Sequence, residues 1–432
     1  MTSMPIEAWL ERLLERDPDR IEPGVERVRR VVGDLLGGRP AATVISVAGT
    51  NGKGSSVAML ASIARAAGYR VGSYTSPHLV DVRERFAIDG RPVDTVPLVE
   101  AFERIEAHPD SGSLTYFEWL TVTAFLLFAA AHADVWVLEV GLGGRLDAVN
   151  ALDADLALIT AIGLDHRDWL GDTRAAIGLE KAGILRKGQP SVYVDADPVD
   201  TVLEAGRRVG AHLRSLGVEW ELVPSAHDGF EIVTPDGRRH HALPALPGAH
   251  QCRNAAGVVA LLRHPGSPLA VSDEAIDAGL RTVAVAGRME TVEHDGRTII
   301  MDVAHNGEAA HALADFLDTP LSGRRLAVFS ALADKPVADV VAPLIGRVDA
   351  WWVGALPVPR AMPVDTLARI LASAGAGAGA IHCESDLIPA YNAAFDASRP
   401  GDEIVIFGSF HVVGPLRQRL HPADNERRGD TP

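Results

Sequence analysis

The chain has 432 residues, of which 47% are hydrophobic and 23% are charged, a composition typical of an ordinary globular protein. Its 41 basic and 57 acidic residues leave a formal charge of −16, which argues against a general affinity for nucleic acid or an anionic membrane. The length is large for one hydrophobic core and predicts two or three domains.

The sequence shows no targeting or membrane segment. Residues 1–20 have the pattern of an amphipathic, charge-laced helix without a signal-peptide core. The most apolar stretch, residues 119–131, is too short to cross a bilayer and is predicted to be a buried helix. Cys252 and Cys383 lie far apart and form no metal or redox motif, which indicates a reducing compartment. We therefore expect a cytoplasmic protein.

A glycine-rich loop follows the first predicted strand. The apolar run 44–47 enters the sequence "AGTNGKGS", and helical spacing of apolar residues continues over 55–67. Glycines allow close approach of the backbone to phosphate, and Lys53 adds a positive charge at the N-terminus of a helix. The standard P-loop has Gly where Val47 stands and Ser or Thr where Gly54 stands. The pattern favours a nucleotide phosphate site over a plain glycine-rich turn.

Strands and helices alternate in the first part of the chain, which predicts a parallel sheet with helices on both faces. The predicted strands are 43–47, 70–74, 135–140, 156–162 and 191–194, and the predicted helices are 55–67, 116–133, 173–185 and 199–216. Short antiparallel strands are expected at 219–223, 230–234 and 240–243, with a turn at "PDG". Helices 255–262 and 272–282 complete this part.

The alternation restarts near Gly287 and predicts a second, smaller α/β domain. Its expected strands are 298–303, 325–330, 350–353 and 403–407, and its expected helices are 308–317, 337–344, 364–374 and 388–397. The sequence "AGAGAGA" at 374–380 indicates a helix C-cap that continues into a loop. We expect domains at 1–286 and 287–422, with a disordered polar tail at 423–432.

Polar residues stand at the ends of three predicted strands of the first domain. Ser76, Glu139 and the pair Asp165–His166 would share the sheet edge of the phosphate loop, where ligands of open α/β sheets bind. Each has a plainer interpretation, as a helix cap, a Ser-Pro turn or a surface histidine. Together they suggest a Mg²⁺ site, although this ion prefers oxygen ligands to histidine.

Nine motifs then occur in register: "AGTNGKGS", "YTSPHLVDVRERF", "LTYFEW", "LEVGLGGRLDAVNA", "IGLDHRDWLGDT", "EKAGI", "GRME", "DVAHN" and "GSFH". In this order they resemble the folylpolyglutamate synthase/dihydrofolate synthase family of the Mur ligase superfamily. The resemblance implies an α/β fold with a P-loop-containing Mur-ligase-like domain, a small antiparallel sheet and a C-terminal Rossmann-like domain.

The resemblance also implies an activity. Enzymes of this family use ATP to join L-glutamate to dihydropteroate or to reduced folates through an acyl phosphate, and they release ADP and phosphate. It implies one or two Mg²⁺ ions, ATP as substrate, no nucleic-acid or membrane partner, and a monomer.

Site residues carry over position by position from the resemblance. ATP contacts are implied at Thr50, Asn51, Gly52, Lys53, Gly54, Ser55, Asn254, Arg288 and Asp302. Magnesium ligands are implied at Ser76, Glu139, His166 and Lys181, the last as a carbamate, and catalytic roles at Lys53, Lys181 and His305.

The resemblance places the pterin pocket at Glu22, Pro23, Gly24, Thr115, Tyr116, Phe117, Glu118, Leu146, Asp147 and Ala148, and a glutamate site at His305 and Ser409. In this pocket Phe117 would stack on the pterin and Glu118 would accept from its N–H groups. The sequence departs from the family at Glu22-Pro23, where Asp-Leu is usual, and also at Gly307 and Pro336. The first departure lengthens the acid and stiffens the loop, so it bears on the preference for dihydropteroate.

Two other functions compete with this one. The chain could be a Mur-type ligase that acts on another carboxylate, such as a cell-wall precursor, but "LTYFEW" and the "GKGS" spacing oppose this. It could also be a nucleotide-binding interaction module without catalysis, which the joint presence of Lys53, Glu139, His166 and Lys181 opposes.

Overall fold

The computed structural model describes residues 4–16, 20–224, 229–235 and 237–421. The chain forms two compact units, Met1–Ala245 with His250–Ala284, and Leu246–Ala249 with Val285–Pro432. The predicted tail at 423–432 lies outside the described residues, as does part of the predicted N-terminal helix.

The first unit is built on an eight-stranded sheet of order β4-β3-β2-β5-β1-β6-β7-β8. The strands are β1 Thr43–Ala48, β2 Val71–Tyr74, β3 Phe86–Ile88, β4 Arg91–Pro92, β5 Val135–Glu139, β6 Leu156–Ile159, β7 Pro190–Tyr193 and β8 His212–Ser215. From β2 to β8 all neighbouring strands are parallel, whereas β3 and β4 add an antiparallel edge. Every residue of β5 and β6 is buried, because helices cover both faces of a parallel sheet.

Ten α-helices of the described residues accompany this sheet. They are α1 Ile6–Leu14, α2 Glu26–Leu36, α3 Lys53–Ala66, α4 Thr95–Glu106, α5 Tyr116–Ala130, α6 Arg167–Leu170, α7 Arg174–Lys181, α8 Asp200–Val209, α9 Ala249–Leu262 and α10 Asp273–Thr282. Helix α5 confirms the predicted buried helix, and its Phe125 and Phe128 pack on Trp136 of β5 with ring centroids 6.0 and 5.8 Å away. Among the described helices, none is long and apolar enough to cross a membrane.

One predicted helix is wrong in its second half. The expected helix 199–216 ends with α8 at Val209, because Gly210 follows in a left-handed conformation with φ +78°. The chain then forms β8, which pairs in parallel with β7. Residues 212–215 form backbone hydrogen bonds to β7 at the edge of the sheet. This pairing outweighs the helical spacing of the apolar residues in this segment.

A small antiparallel sheet confirms the expected hairpin strands. It has the order β11-β10-β9, with β9 Glu221–Pro224, β10 Gly229–Thr234 and β11 Gly237–Ala242. Asp236 of the predicted "PDG" turn lies outside the described residues. His241 of β11 is buried and its Nδ1 lies 3.2 Å from Oδ1 of Asp277 in α10, which attaches this sheet to the helix.

The second unit has a six-stranded sheet of order β12-β13-β17-β14-β15-β16, parallel except for the β12–β13 pair. Its strands are β12 Glu290–His294, β13 Arg297–Asp302, β14 Arg325–Phe329, β15 Ala350–Gly354, β16 Ile381–Glu384 and β17 Glu403–Phe407. Its helices are α11 Gly307–Phe316, α12 Val337–Val341, α13 Val364–Ala374, α14 Leu387–Ala397 and α15 Phe410–Leu420. The sequence did not predict the edge strands β12 and β16, whereas the expected C-cap is confirmed by Gly375, with φ +110°.

Candidate active site

The glycine-rich loop joins β1 to α3, and two of its glycines are required by close contacts. A Cβ on Gly49 would lie 1.7 Å from Oγ1 of Thr160, and a Cβ on Gly52 would lie 2.6 Å from Oδ1 of Asn254. Both glycines also have positive φ, +153° and +85°, which side chains disfavour. The loop can therefore follow this path only with glycine at both positions.

Hydroxyl groups fix the shape of the loop. Thr160 Oγ1 donates to the Asn51 carbonyl at 2.7 Å, and Thr50 Oγ1 accepts from the Gly163 N–H at 3.0 Å. The Lys53 ammonium lies within the loop, where Nζ donates to the carbonyls of Gly49 and Thr50 at 3.0 and 3.1 Å. This arrangement sets a positive charge and the N-terminus of α3 side by side, as phosphate binding needs.

Helix α9 reaches the same loop through a chain of amide hydrogen bonds. Asn254 Nδ2 donates to Gln251 Oε1 at 3.1 Å, and Gln251 Nε2 donates to Ser55 Oγ at 3.1 Å. All three side chains are buried. The structure thus brings Asn254, predicted to contact ATP, next to Gly52 and the first turn of α3.

The predicted metal ligands lie at the end of β5 and around it. The Glu139 carboxylate is buried and its Oε2 accepts from the Ser76 N–H at 3.1 Å. The same oxygen lies 3.6 Å from where a Cβ on Gly54 would stand, so it faces the start of α3. An oxygen donor here suits Mg²⁺, which prefers carboxylate, hydroxyl and phosphate oxygens.

His166 stands at the N-terminus of α6 in a left-handed conformation, with φ +51°. Its side chain is 44% exposed, and its Nε2 lies 3.9 Å from Oδ2 of Asp165. Across the residues that the structure describes, no group of three or more His, Cys, Asp or Glu side chains could hold a metal. The predicted donor set differs from such a group because it includes a serine and a lysine.

Lys181, at the C-terminus of α7, is buried and reaches the phosphate loop. Its Nζ donates to the Gly49 carbonyl at 2.8 Å. Burial, followed by repulsion from Lys53, lowers the pKa of Lys181 to about 7, although Asp165 and Asp147 partly oppose the shift. A large share of this amine is therefore neutral near pH 7.

The predicted pterin segments come together around the start of α5. The Gly24 N–H donates to the Leu146 carbonyl at 3.3 Å, which joins the first and last of these segments. The Phe117 ring lies 6.1 Å from the Tyr74 ring, and it would clash with any Cβ on Gly141. An aromatic face thus lies beside the loop that follows β5.

Two carboxylates of this region already have several hydrogen-bond donors. Glu118 Oε2 accepts from the Thr115 N–H at 2.8 Å and from Arg27 Nε at 2.9 Å, while Arg27 Nη2 lies 2.7 Å from Oε1. Asp147 accepts from the N–H groups of Leu142 and Val149, and burial raises its pKa to about 6. The role of Glu118 as a pterin acceptor stays a prediction. Tyr116 and Ala148 are also buried. Pro23 lies between Glu22, whose carbonyl accepts from Arg27, and Gly24, whose N–H donates to the Leu146 carbonyl.

In the second unit, the predicted residues lie at the ends of the paired strands β13 and β17. Asp302 is buried and accepts from the N–H groups of Met289 and Ala304 at 2.9 and 2.8 Å, and burial raises its pKa. The Arg288 guanidinium lies 5.7 Å from the Phe410 ring, and the His305 ring lies 6.3 Å from it. Ser409 caps α15 by accepting from the His411 N–H. The structure therefore places Arg288 and His305 beside Phe410, which follows Ser409 in the chain, and the charges of Arg288 and His305 act on Asp302.

Three residues that contact the site were not among the predicted ones. Thr160 is a polar residue at the end of a buried strand, a signal that the sequence offered. Gln251 stands one turn before Asn254, and Arg27 lies three residues after Gly24. Neither has a local pattern that distinguishes it from an ordinary helix residue.

Models of two known protein domains match the chain, one in each of its two units. Residues 47–262 match the model of the Mur ligase middle domain, and residues 287–410 match that of the Mur ligase glutamate ligase domain. The chain is 39% identical over 415 residues to the dihydrofolate synthase/folylpolyglutamate synthase of Escherichia coli, covering 96% of this chain and 95% of that protein.

Solved structures agree in fold over nearly the whole chain. A complex of Escherichia coli FolC with DHPP and ADP matches with a TM-score of 0.89 and 38% identity, covering 98% of this chain and 99% of the other. A bifunctional folylpolyglutamate synthase/dihydrofolate synthase with Mn, AMPPNP and L-glutamate bound matches with a TM-score of 0.87 and 38% identity, covering 97% and 98%. These matches confirm the predicted fold class, and the chain belongs to the dihydrofolate synthase/folylpolyglutamate synthase family of Mur ligases.

Proposed function

We propose that this protein uses ATP to join the amine of L-glutamate to a carboxylate of dihydropteroate, of a reduced folate, or of both. The observation that carries this proposal is that Lys53 and Lys181 both donate hydrogen bonds to the Gly49 carbonyl in the phosphate loop. The similarity to dihydrofolate synthase/folylpolyglutamate synthase extends over both units. We therefore base the proposed substrates on the family and the proposed roles of the residues on the geometry.

The proposed domains follow the motifs. Residues 1–286 would bind ATP and the pterin, and residues 287–422 would act as the glutamate-ligase domain. In the first, Thr50 to Ser55 and Asn254 would hold the phosphates. In the second, Arg288 and Asp302 would contact ATP, and His305 and Ser409 would serve the glutamate. A cytoplasmic location is proposed as well, since Cys252 and Cys383 are both unpaired.

The reaction begins with transfer of a phosphoryl group. A carboxylate is a poor electrophile, so the substrate carboxylate oxygen attacks the γ-phosphorus of ATP, and ADP leaves as an acyl phosphate forms. Lys53 and the N–H groups at the start of α3 neutralise the charge that develops on the phosphate oxygens. The neutral amine of glutamate then attacks the acyl carbon, phosphate leaves, and the amine loses a proton to give the amide.

Mg²⁺ would be held by Ser76, Glu139, His166 and a modified Lys181, and it would supply positive charge at the transferring phosphoryl group. The buried Glu139 carboxylate beside Gly54 fits this ion. An unmodified Lys181 ammonium would repel it. A neutral amine with a pKa of about 7 can instead attack CO₂ and lose a proton, giving a carbamate with oxygen donors.

An ADP-release assay tests the proposal. Purified protein is supplied with ATP, Mg²⁺ and L-glutamate, and with dihydropteroate, a reduced folate monoglutamate or a cell-wall precursor as the carboxylate. We expect glutamate-dependent ADP release with one or both of the first two. Release only with the cell-wall precursor would identify a different Mur-type ligase, and no release with any acceptor would favour a binding module.

A further inference from the structure

One guanidinium joins two of the proposed pterin segments that are far apart in sequence. Arg27, in the first turn of α2, makes a two-point contact with Glu118, through Nε at 2.9 Å and Nη2 at 2.7 Å. The same side chain donates to the Glu22 carbonyl and lies 3.5 Å from the Glu22 carboxylate. A planar guanidinium suits such a junction because its five N–H groups point in fixed directions.

The two ends of this junction differ in their exposure to solvent. The Glu118 side chain is 5% exposed, and that of Arg27 is 22% exposed. Glu22 is on the surface, where Arg20 also donates to it and lowers the pKa of its carboxyl group. The buried end therefore anchors Arg27, and the exposed end connects it to residues 22–24.

The loop is also tied on its far side. Beyond Glu22, the Gly24 N–H bonds to the Leu146 carbonyl, and a Cβ on Gly24 would lie 3.7 Å from Arg27 Nη1. Residues 22–24 thus lie between the Arg27 guanidinium and the segment that begins at Leu146. Without Arg27 the loop would keep one of these two attachments.

We infer that Arg27 is a positioning residue for the pterin-bearing substrate, which sets the loop 22–24 against the start of α5. The inference rests on the proposed function. Because both Glu118 oxygens already accept from Arg27, and Oε2 also from the Thr115 N–H, Glu118 acts by orienting Arg27. Recognition of the pterin then falls to the loop backbone and to Phe117.

The test compares Arg27→Gln with Arg30→Gln in the full chain. Arg30 is a matched control because it lies on the same helix and pairs with Asp110 at 3.0 Å, but its side chain is 62% exposed. We expect Arg27→Gln to raise the KM for dihydropteroate or folate about tenfold or more, since it breaks charge-assisted hydrogen bonds to a buried carboxylate. The KM values for ATP and L-glutamate should change by less than about twofold, as they should for all substrates in Arg30→Gln.

Two further variants separate positioning from stability. The double variant Arg27→Gln/Glu118→Gln removes the unpaired buried charge, so it should recover Tm but keep the raised pterin KM. Glu22→Gln, at a side chain that is only partly buried, should leave Tm unchanged and raise the pterin KM by a smaller factor than Arg27→Gln. Arg27→Lys should recover part of the KM.

Several outcomes would overturn the inference. One is a pterin KM in Arg27→Gln that matches Arg30→Gln, and another is a double variant that recovers KM together with Tm. In both cases normal turnover by the wild-type protein would leave the proposed function intact. A wild-type protein that neither binds nor uses any pteroate or folate would instead overturn both proposals.

Discussion

Lys53 and Lys181 donate hydrogen bonds to the same acceptor, the Gly49 carbonyl, at 3.0 and 2.8 Å. Two ammonium groups at one oxygen repel each other, and this repulsion is the second cause, after burial, of the lowered pKa of Lys181. The phosphate loop therefore couples the charge state of one lysine to the presence of the other.

Replacement of Lys53 by alanine should abolish turnover without unfolding the protein. The loss of one positive charge at the transferring phosphoryl group is expected to lower kcat by at least about 10²-fold. Steady-state ADP release measures the rate, and circular dichroism checks the fold. Lys187→Ala, at an exposed lysine outside the site, should keep the wild-type rate. Near-normal turnover by Lys53→Ala would contradict the assignment of the loop.

Lys181 should carry a carbamate when CO₂ is present. Wild-type protein in ¹³CO₂-equilibrated buffer should show a carbamate carbon signal by NMR, and Lys181→Ala should lack it. The alanine variant should lose most activity and regain part of it with added short carboxylic acids, which replace the missing oxygen donors. Normal turnover without added acid would show that the lysine has no such role.

Gly49→Ala should weaken nucleotide binding through a steric clash, beyond the effect of placing alanine at a positive φ. The new Cβ would lie 1.7 Å from Thr160 Oγ1, so the loop must move away from its Thr160 anchor. Gly217→Ala is the matched control, since Gly217 also has positive φ, +76°, but has open space around it. That control should cost about 1 kcal/mol of stability and leave the affinity for an ATP analogue unchanged. Calorimetric titration measures both affinities, and equal affinities would argue against the steric explanation.

His241 should make stability depend on pH at the small antiparallel sheet. Burial lowers the pKa of His241 below 6.5, and Arg263 lowers it slightly further. Asp277 and Asp273 oppose this shift but do not cancel it. The unfolded chain therefore binds the proton more readily, so the free energy of unfolding should fall as the pH drops below 6.5.

The measurement is urea denaturation of wild type and His241→Asn over this pH range. The asparagine amide stands where Nδ1 stood, so the variant retains a donor for Asp277 but cannot titrate, and its stability should fall less steeply. Parallel curves for the two proteins would mean that another group causes the acid sensitivity.

The central strands could be predicted from sequence because both of their faces are buried. In β5 and β6 every residue is buried, and all of them are apolar except Glu139 at the end of β5. The edge strands β8 and β16 instead contain polar residues, as in "HLRS" and "IHCE", and their structure depends on a neighbouring strand far along the chain. No local pattern encodes such a pairing.

The residues of the candidate site also differ in how far the sequence predicts them. Glu139 ends β5, and Lys53 begins α3 directly after the loop that follows β1. Chemistry at this edge of the sheet follows from the topology. Thr160 and Arg27 act on residues 109 and 91 positions away, Asn51 and Glu118. Their hydrogen bonds exist only once the chain is folded, so the sequence alone could not predict them.

The Glu118 carboxylate serves two parts of the structure at once. Its Oε2 completes the capping box that starts α5, and the same oxygen accepts from Arg27. Order in the first turn of this helix is therefore linked to order in the loop 22–24. Amide hydrogen exchange at Thr115, whose N–H bonds to Glu118, should report on that loop before any substrate is added.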